Sequence, residues 1–437
     1  MSSGPGRPKI SRQVLSLCLI IFLADVVAGI IIPTFSLYAT SLGVSLALLG
    51  VLNTTGGLVQ LVSSMPFGVL SDRIGRSWIL GGGLIAFTVS VASFALAEGP
   101  TLLFVGRIMF GLAGVATFQI GAARLGDITT EEERPIAFGL YATAMGLGFT
   151  VGPLIGGQMS QRFGYESAYF VGLFISLLAL LVAGMTLPRK MVENTYPRVV
   201  RIAGRSRQDI RQILRHRDLM VVTFGNMLVS LTFAGAITTF FPIYGKDILL
   251  TQGAIGTMFA VRAVVSTLGR IPNGIISRRL GNKAVLFGAL LLNTSVMFAI
   301  AMTKDTAMLT VLLGIEGLAF GAYLVSGQTY VANNTTVRNR GTAIGMYSTA
   351  ASLGGTIAPI ALGIVANVWG VAMVFTVTGW ILVIGTGITA IGMFGFRRGS
   401  LDSGHVTSDL SQAPSSHSPV SQLRKAQLSE AGERTPD

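Results

Sequence analysis

"AFGLYATAMGLGFTVGPLIGG" (137–157) and "AIGMYSTAASLGGTIAPIALG" (343–363) are separated by 206 residues and agree at 10 of 21 positions without a gap. At the same offset "PFGVLSDRIGRS" (66–77) lies over "PNGIISRRLGNK" (272–283) with 5 of 12 identities. Tyr38 falls on Tyr244, Gly50 on Gly256 and Arg134 on Arg340. A constant offset across such distant segments marks an internal repeat, so the chain is expected to fold as two similar halves.

The composition says what those halves are made of. The chain has 437 residues, 51% of them hydrophobic and only 12% charged, about half the charge of a soluble domain. Its 55 glycines suit helices packed closely in lipid. A hydrocarbon core of about 30 Å needs about 20 apolar residues per helix. Twelve segments qualify: 14–38, 46–70, 78–97, 101–124, 135–159, 164–187, 218–245, 252–276, 283–303, 307–330, 341–367 and 370–395. The expected fold is an all-α membrane protein of twelve transmembrane helices in two six-helix halves. Six spans per half give both halves the same orientation, related by an axis along the membrane normal, with a site near the midplane between them.

The net charge of +13 follows from membrane asymmetry, not from nucleic-acid binding. Of 32 Lys and Arg, 26 fall in the termini and the even-numbered connections, and only Arg162, Lys246 and Lys304 in the odd-numbered ones. The positive-inside rule then puts both termini in the cytoplasm, with the chain in the cell membrane. The expected organisation is a basic N-terminus (1–13), a first bundle (14–187), a basic linker (188–217) lying on the inner membrane surface, a second bundle (218–396) and a disordered tail (397–437). The apolar run after "MSSGPGRPKISRQ" is too long for a signal-peptide core and reads as a retained span. A lone Cys18 leaves no internal disulfide.

Three motifs resemble those of the major facilitator superfamily, in particular its twelve-span drug:proton antiporters, over residues 10–396. "GVLSDRIGRS" (68–77) resembles the family signature G-x-L-[SA]-D-R-x-G-R-[RK], departing at Ser77, where a base is usual. Gly68 allows close helix approach and Gly75 a tight turn. Asp72 is suited to the N-terminus of span 11, and Arg73 and Arg76 to the acids of "GDITTEEER" (126–134). The resemblance implies a cytoplasmic latch between the halves; Arg278 stands where the second copy needs Asp. "GLGFTVGPLIGG" (146–157) is similar to the antiporter motif G-x-x-x-G-P-x-x-G-G, with Gly148, Gly152 and Gly156 on one face, Pro153 bending the helix, and Gly157 closing the motif. Arg107 and Gly111 in "GRIMFGLAG" resemble the family's R-x-x-x-G element of span 4.

Ionisable residues inside spans are costly and mark function. Asp25 lies about 18 Å into span 1, close to the midplane. Arg107 belongs to the outer half of span 4, and Glu316 lies nine residues into span 10. Arg262 and Arg270 share a face of span 8. The resemblance implies that spans 1, 4, 7 and 10 line the cavity, so Asp25, Arg107 and Glu316 are the expected proton-coupling set, with Arg107 as partner of Asp25. A buried carboxyl beside an arginine is subject to opposed influences that bring titration within reach of physiological pH. Static buried ion pairs are the alternative. Asn53, Gln60, Gln119, Asn226 and Arg262 are candidates for substrate recognition, or for interhelical bonding.

Nothing in the sequence points to an enzyme, a cofactor or a metal. The three histidines (His216, His405, His417) lack ligand spacing, and "GGG" at 81–83 lacks a phosphate-loop lysine. The expectation is a monomeric, proton-coupled exporter of small organic compounds. A proton symporter of a metabolite and a non-transporting membrane sensor remain as alternatives.

Overall fold

The computed structural model describes residues 11–187, 213–335 and 339–394. The N-terminal ten residues, most of the linker and the tail lie outside them, and with them the expected linker helix and disordered tail. Among the described residues twelve helices are long and apolar enough to cross a membrane. They are α1 (Arg12–Ser41), α2 (Leu46–Ile74), α3 (Arg76–Ala95), α4 (Pro100–Ile128), α5 (Arg134–Phe163), α6 (Tyr165–Thr186), α7 (Arg217–Asp247), α8 (Gln252–Leu280), α9 (Asn282–Met302), α10 (Thr306–Asn333), α11 (Arg340–Trp369) and α12 (Val371–Met393).

Their ends are set by local chemistry. The side chains of Ser11, Ser45, Thr251 and Asp305 accept the orphan amide of the first turn in α1, α2, α8 and α10. Gly75, Gly164, Gly281 and Gly370, with φ of 102°, 87°, 84° and 86°, end α2, α5, α8 and α11 in the left-handed region. Several helices outrun their apolar segments. α2 continues through Asp72 and Arg73 because nothing stops the backbone ladder before Gly75. Two helices also contain π-helical turns, Val115–Gln119 in α4 and Thr232–Phe240 in α7.

The repeat is legible in three dimensions at the offset of 206. Tyr38 donates to the Ala97 carbonyl at 2.8 Å, and Tyr244 to that of Thr303 at 2.9 Å. α1 packs on α5 and α6, and α2 on α4, as α7 packs on α11 and α8 on α10. Two seams join α1–α6 to α7–α12: α2 against α11, and α5 against α8. Each seam is a close approach of glycine to backbone. A side chain at Gly50 would collide with the Pro359 carbonyl, and one at Gly256 with that of Pro153, its counterpart. A Cβ at Gly157 would come within 3.0 Å of the Gly256 Cα, and one at Gly363 within 3.2 Å of the Gly50 Cα.

The seams close only one end of the molecule. There Thr54 donates to the Thr356 carbonyl (2.8 Å), Gln161 accepts the Gly253 amide (2.9 Å) and Gln252 donates to the Tyr165 hydroxyl (2.9 Å). Followed toward the end carrying the basic connections, the same helix faces part. A Cβ at Gly146 would still touch Thr267 at 2.9 Å, but at Gly139, Gly274, Gly341 and Gly345 it would meet open space. Met65 on α2 and Ile271 on α8 are 79% and 76% exposed. A cleft thus runs between the halves from the basic end toward the middle.

Because a seam glycine has no room for a side chain, Gly256→Val should cost the closed end about 1–3 kcal/mol of overpacking. Thiol labelling of Leu37→Cys in a Cys18→Ala background should then rise several-fold, because Leu37 lines the seam beside Gln161 and Gln252. Unchanged labelling would show that the α5–α8 seam does not keep this end shut.

Candidate functional site

Asp25 is buried in the middle of α1, against α5. A Cβ at Gly148 would lie 2.8 Å from that of Asp25 and 2.7 Å from the Phe22 carbonyl. Gly152 and Gly29 meet Cα to Cα in the same way, and Gly156 approaches Ile30. The Asp25 carboxylate lies within reach of the Phe149 amide, and Tyr141 on α5 is close enough to feel its charge. Pro153, having no N–H, leaves the Phe149 carbonyl without its usual helical donor. The other side of the same motif faces α8, where Pro153 and Gly157 meet Gly256. One stretch of α5 therefore touches both the helix carrying the carboxylate and a seam between the halves.

The expected pairing of Asp25 with Arg107 is not made among the described residues in this conformation. Arg107 lies toward the closed end. Its guanidinium stacks on Phe35 at 3.6 Å from the ring centroid and donates to the Asn53 side chain. Phe35 is ten residues from Asp25, about 15 Å along α1. Both residues belong to the first six helices, so the separation is a matter of level within one bundle. Arg107 Nε has no partner among the described residues.

Glu316 and Arg262 form a buried ion pair. Arg262 Nε donates to Glu316 Oε2, and Nη2 reaches Oε1 at 3.1 Å, a two-point pair. Their side chains are 0% and 3% exposed. The guanidinium lies 4.3 Å from the Phe233 ring centroid, in the α7 π-helical turn, and 5.1 Å from that of Phe320. Glu316 therefore does not converge with Arg107, and Arg262 is engaged by a carboxylate instead of facing the cleft.

The other recognition candidates divide in two. Asn53 is bonded to Arg107, and buried Asn226 donates to the Tyr347 carbonyl at 2.9 Å. Gln60 and Gln119 are exposed on α2 and α4, and Gln119 accepts a 2.7 Å bond from Ser64.

At the basic end, Arg76 pairs with Asp127 at 2.9 Å and with Asp72 at 3.6 Å, and donates to the Ala123 carbonyl. The expected partnership with the acids of 126–134 is present. Two expectations are not met in this conformation. Asp72 is 69% exposed and is not at the α11 N-terminus, and Gly68 has open space around its Cβ position. Both result from the parting of α2 and α11 at this end. Arg73 is exposed. Ser77, which stands where a base is usual, receives a 2.6 Å bond from Arg124, so the cation comes from α4. The sequence reading missed that role of Arg124, whose signal was its place in the same basic connection.

A family model described as Major Facilitator Superfamily matches residues 17–249 and 222–429. The chain is 26% identical to "Multidrug resistance protein 2" of Bacillus subtilis over 385 residues, covering 85% of this chain and 92% of that protein. It is 25% identical to "Tetracycline resistance protein, class E" of Escherichia coli over 398 residues, covering 89% and 95%. An uncharacterized MFS-type transporter of Methanocaldococcus jannaschii is 21% identical over 372 residues, covering 84% and 94%. Among solved structures, a point mutant of the nucleoside transporter NupG superposes with a TM-score of 0.74 at 16% identity, covering 87% of this chain and all of that one. An inward-facing bacterial homologue of the lysosomal transporter Spinster gives the same score and identity, covering 89% and 98%. With twelve candidate spans and this match over most of its length, the chain belongs to the major facilitator superfamily, a multi-pass membrane transporter and not an enzyme.

Proposed function

We propose that this transporter is a proton-coupled antiporter that exports small, drug-like organic compounds, with the open end of its cleft facing the cytoplasm. The observation that carries the reading is the double contact of residues 148–157. Gly148, Gly152 and Gly156 seat α1 at Asp25, while Pro153 and Gly157 form part of the α5–α8 seam. A change of charge at Asp25 is thereby felt where the two halves meet.

In this reading 14–187 and 218–396 rock against each other about the seams. Asp25 is the principal proton carrier. Taking up a proton removes the charge whose burial is costly, and losing it restores that cost. Glu316 is the second carrier, with Arg262 as its counter-ion. Arg107 holds α2 at the α2–α11 seam through Asn53, one turn from Gly50. The Asp72, Arg73 and Arg76 cluster, disengaged here, latches the basic end when it closes. The driving force is the membrane's, about 2.3 kcal/mol per charge crossing 100 mV.

The sidedness of this reading is supported by the distribution of Lys and Arg, 26 against three, which by the positive-inside rule favours cytoplasmic termini. Export of lipophilic compounds is supported by the relatives named for multidrug and tetracycline resistance.

In proteoliposomes with an imposed pH gradient, a lipophilic substrate should trigger proton movement opposite to its own, and Asp25→Asn should abolish it. Proton and compound moving together would identify a symporter instead. Gly148→Val should lower the maximal exchange rate by about tenfold or more, since overpacking costs about 1–3 kcal/mol and each 1.4 kcal/mol is a factor of ten. Equilibrium binding of the same compound should change little, because the cleft face is untouched. Equal losses of binding and exchange would place the motif in the binding site.

A further inference from the structure

The two halves depart from each other at one buried place. Arg262, Glu316 and Asn293 occupy the positions that Gly56, Phe110 and Phe87 hold in the first half, 206 residues earlier. The backbone around them is alike. A Cβ at Gly111 would press on the Gly56 carbonyl, as one at Gly317 would on that of Arg262. In the first half Phe87 on α3 meets Phe110 on α4 edge to face, with centroids 5.8 Å apart. The equivalent helices α9 and α10 are packed together, and the repeat pairs Asn293 with Glu316 as it pairs Phe87 with Phe110. A polar triad thus stands where the first half has an apolar contact.

Asn293 is fully buried, and neither its Nδ2 nor its Oδ1 has a partner among the described residues. A buried amide with donor and acceptor both unmet calls for a physical reason. Meanwhile both Glu316 oxygens are taken by Arg262.

We infer that Asn293 is a positioning residue that receives the protonated form of Glu316, as Arg262 receives the ionised form. An ionised carboxylate only accepts, and a guanidinium only donates, so the two match in that state. When a proton from cleft water arrives on one Glu316 oxygen, the group becomes one O–H donor and one carbonyl acceptor. That pattern no longer suits Arg262 but is the complement of a primary amide. The O–H donates to Asn293 Oδ1, and Asn293 Nδ2 donates to the carboxyl carbonyl. The proton stays on Glu316, and the only interaction broken is the ion pair. Arg262 keeps its place against Phe233 and Phe320.

The neighbouring helices offer no competing group at this level. α9 between Ala284 and Met302, and α7 between Val222 and Phe240, contain no titratable side chain. α8 adds Arg270 two turns from Arg262, and α11 adds Tyr347, whose hydroxyl faces the Tyr323 carbonyl.

The inference rests on the reading of Glu316 as a proton carrier, and one experiment separates the two. Infrared difference spectra of the full transporter in lipid, recorded on a pH jump, report carboxyl C=O stretches directly. Glu316→Gln assigns the band. In Asn293→Leu, of similar size without polar atoms, the Glu316 band should shift to higher frequency as its hydrogen bonds are lost. Asn293→Phe, the side chain of the first half at this position, should do the same if Leu disturbs folding. A Glu316 band that both variants leave in place overturns the role of Asn293 while leaving the carrier reading intact. The absence of any band lost in Glu316→Gln overturns both.

Discussion

Two glycines meeting two carbonyls hold this molecule in its conformation. Gly50 against Pro359 and Gly256 against Pro153 bring backbones to a distance that no side chain tolerates. In lipid no hydrophobic drive favours one helix pair over another, so close packing of small residues supplies the attraction. The duplication makes the two contacts equivalent, and the cleft between the halves opens symmetrically from them. Everything else in the site is placed relative to these seams: Asp25 through the far face of α5, and Arg107 through Asn53 on α2.

The charges are arranged with unequal stability. Glu316 and Arg262 form a pair with two contacts, stacked between aromatic rings and removed from solvent. Such a pair repays its desolvation only when its geometry is good, and removing one partner typically costs about 3–5 kcal/mol. Arg107 is held by a neutral amide and a ring face, and Asp25 forms no ion pair among the described residues. Asp25 and Arg107 of the first half are thus held apart from any opposite charge, while Glu316 of the second is neutralised by Arg262.

Much of this was legible in the chain. The offset of 206 predicted two similar halves, and the glycine spacing in 148–157 predicted a face that packs closely. The pairing of Arg76 with residues of 126–134 was expected from both lying at one membrane surface. The partner of Asp25 was not legible, because periodicity fixes a residue's level and face but not which neighbour occupies that face. The π-helical turns were invisible for a related reason: with lipid outside and apolar packing inside, the hydrophobic pattern carries little phase. Each such turn inserts a residue and rotates the remainder of its helix by about 100°. Arg262 and Glu316 did leave a signal. Both replace uncharged residues at the matching positions of the first half, which a comparison of the repeats for charge would have picked out.

The left-handed glycines that end α2, α5, α8 and α11 have a mechanical consequence. Each joins a seam helix to the next helix through a single residue, so α3, α6, α9 and α12 cannot stay behind when the seam helices tilt. Those four helices carry broad apolar surfaces with exposed Ile85, Phe174, Leu291 and Ile384. The rocking proposed for the halves would therefore drag four greasy blades through surrounding lipid. In that motion the viscosity and lateral pressure of the bilayer would become part of the barrier to transport, acting on the transporter without a binding site.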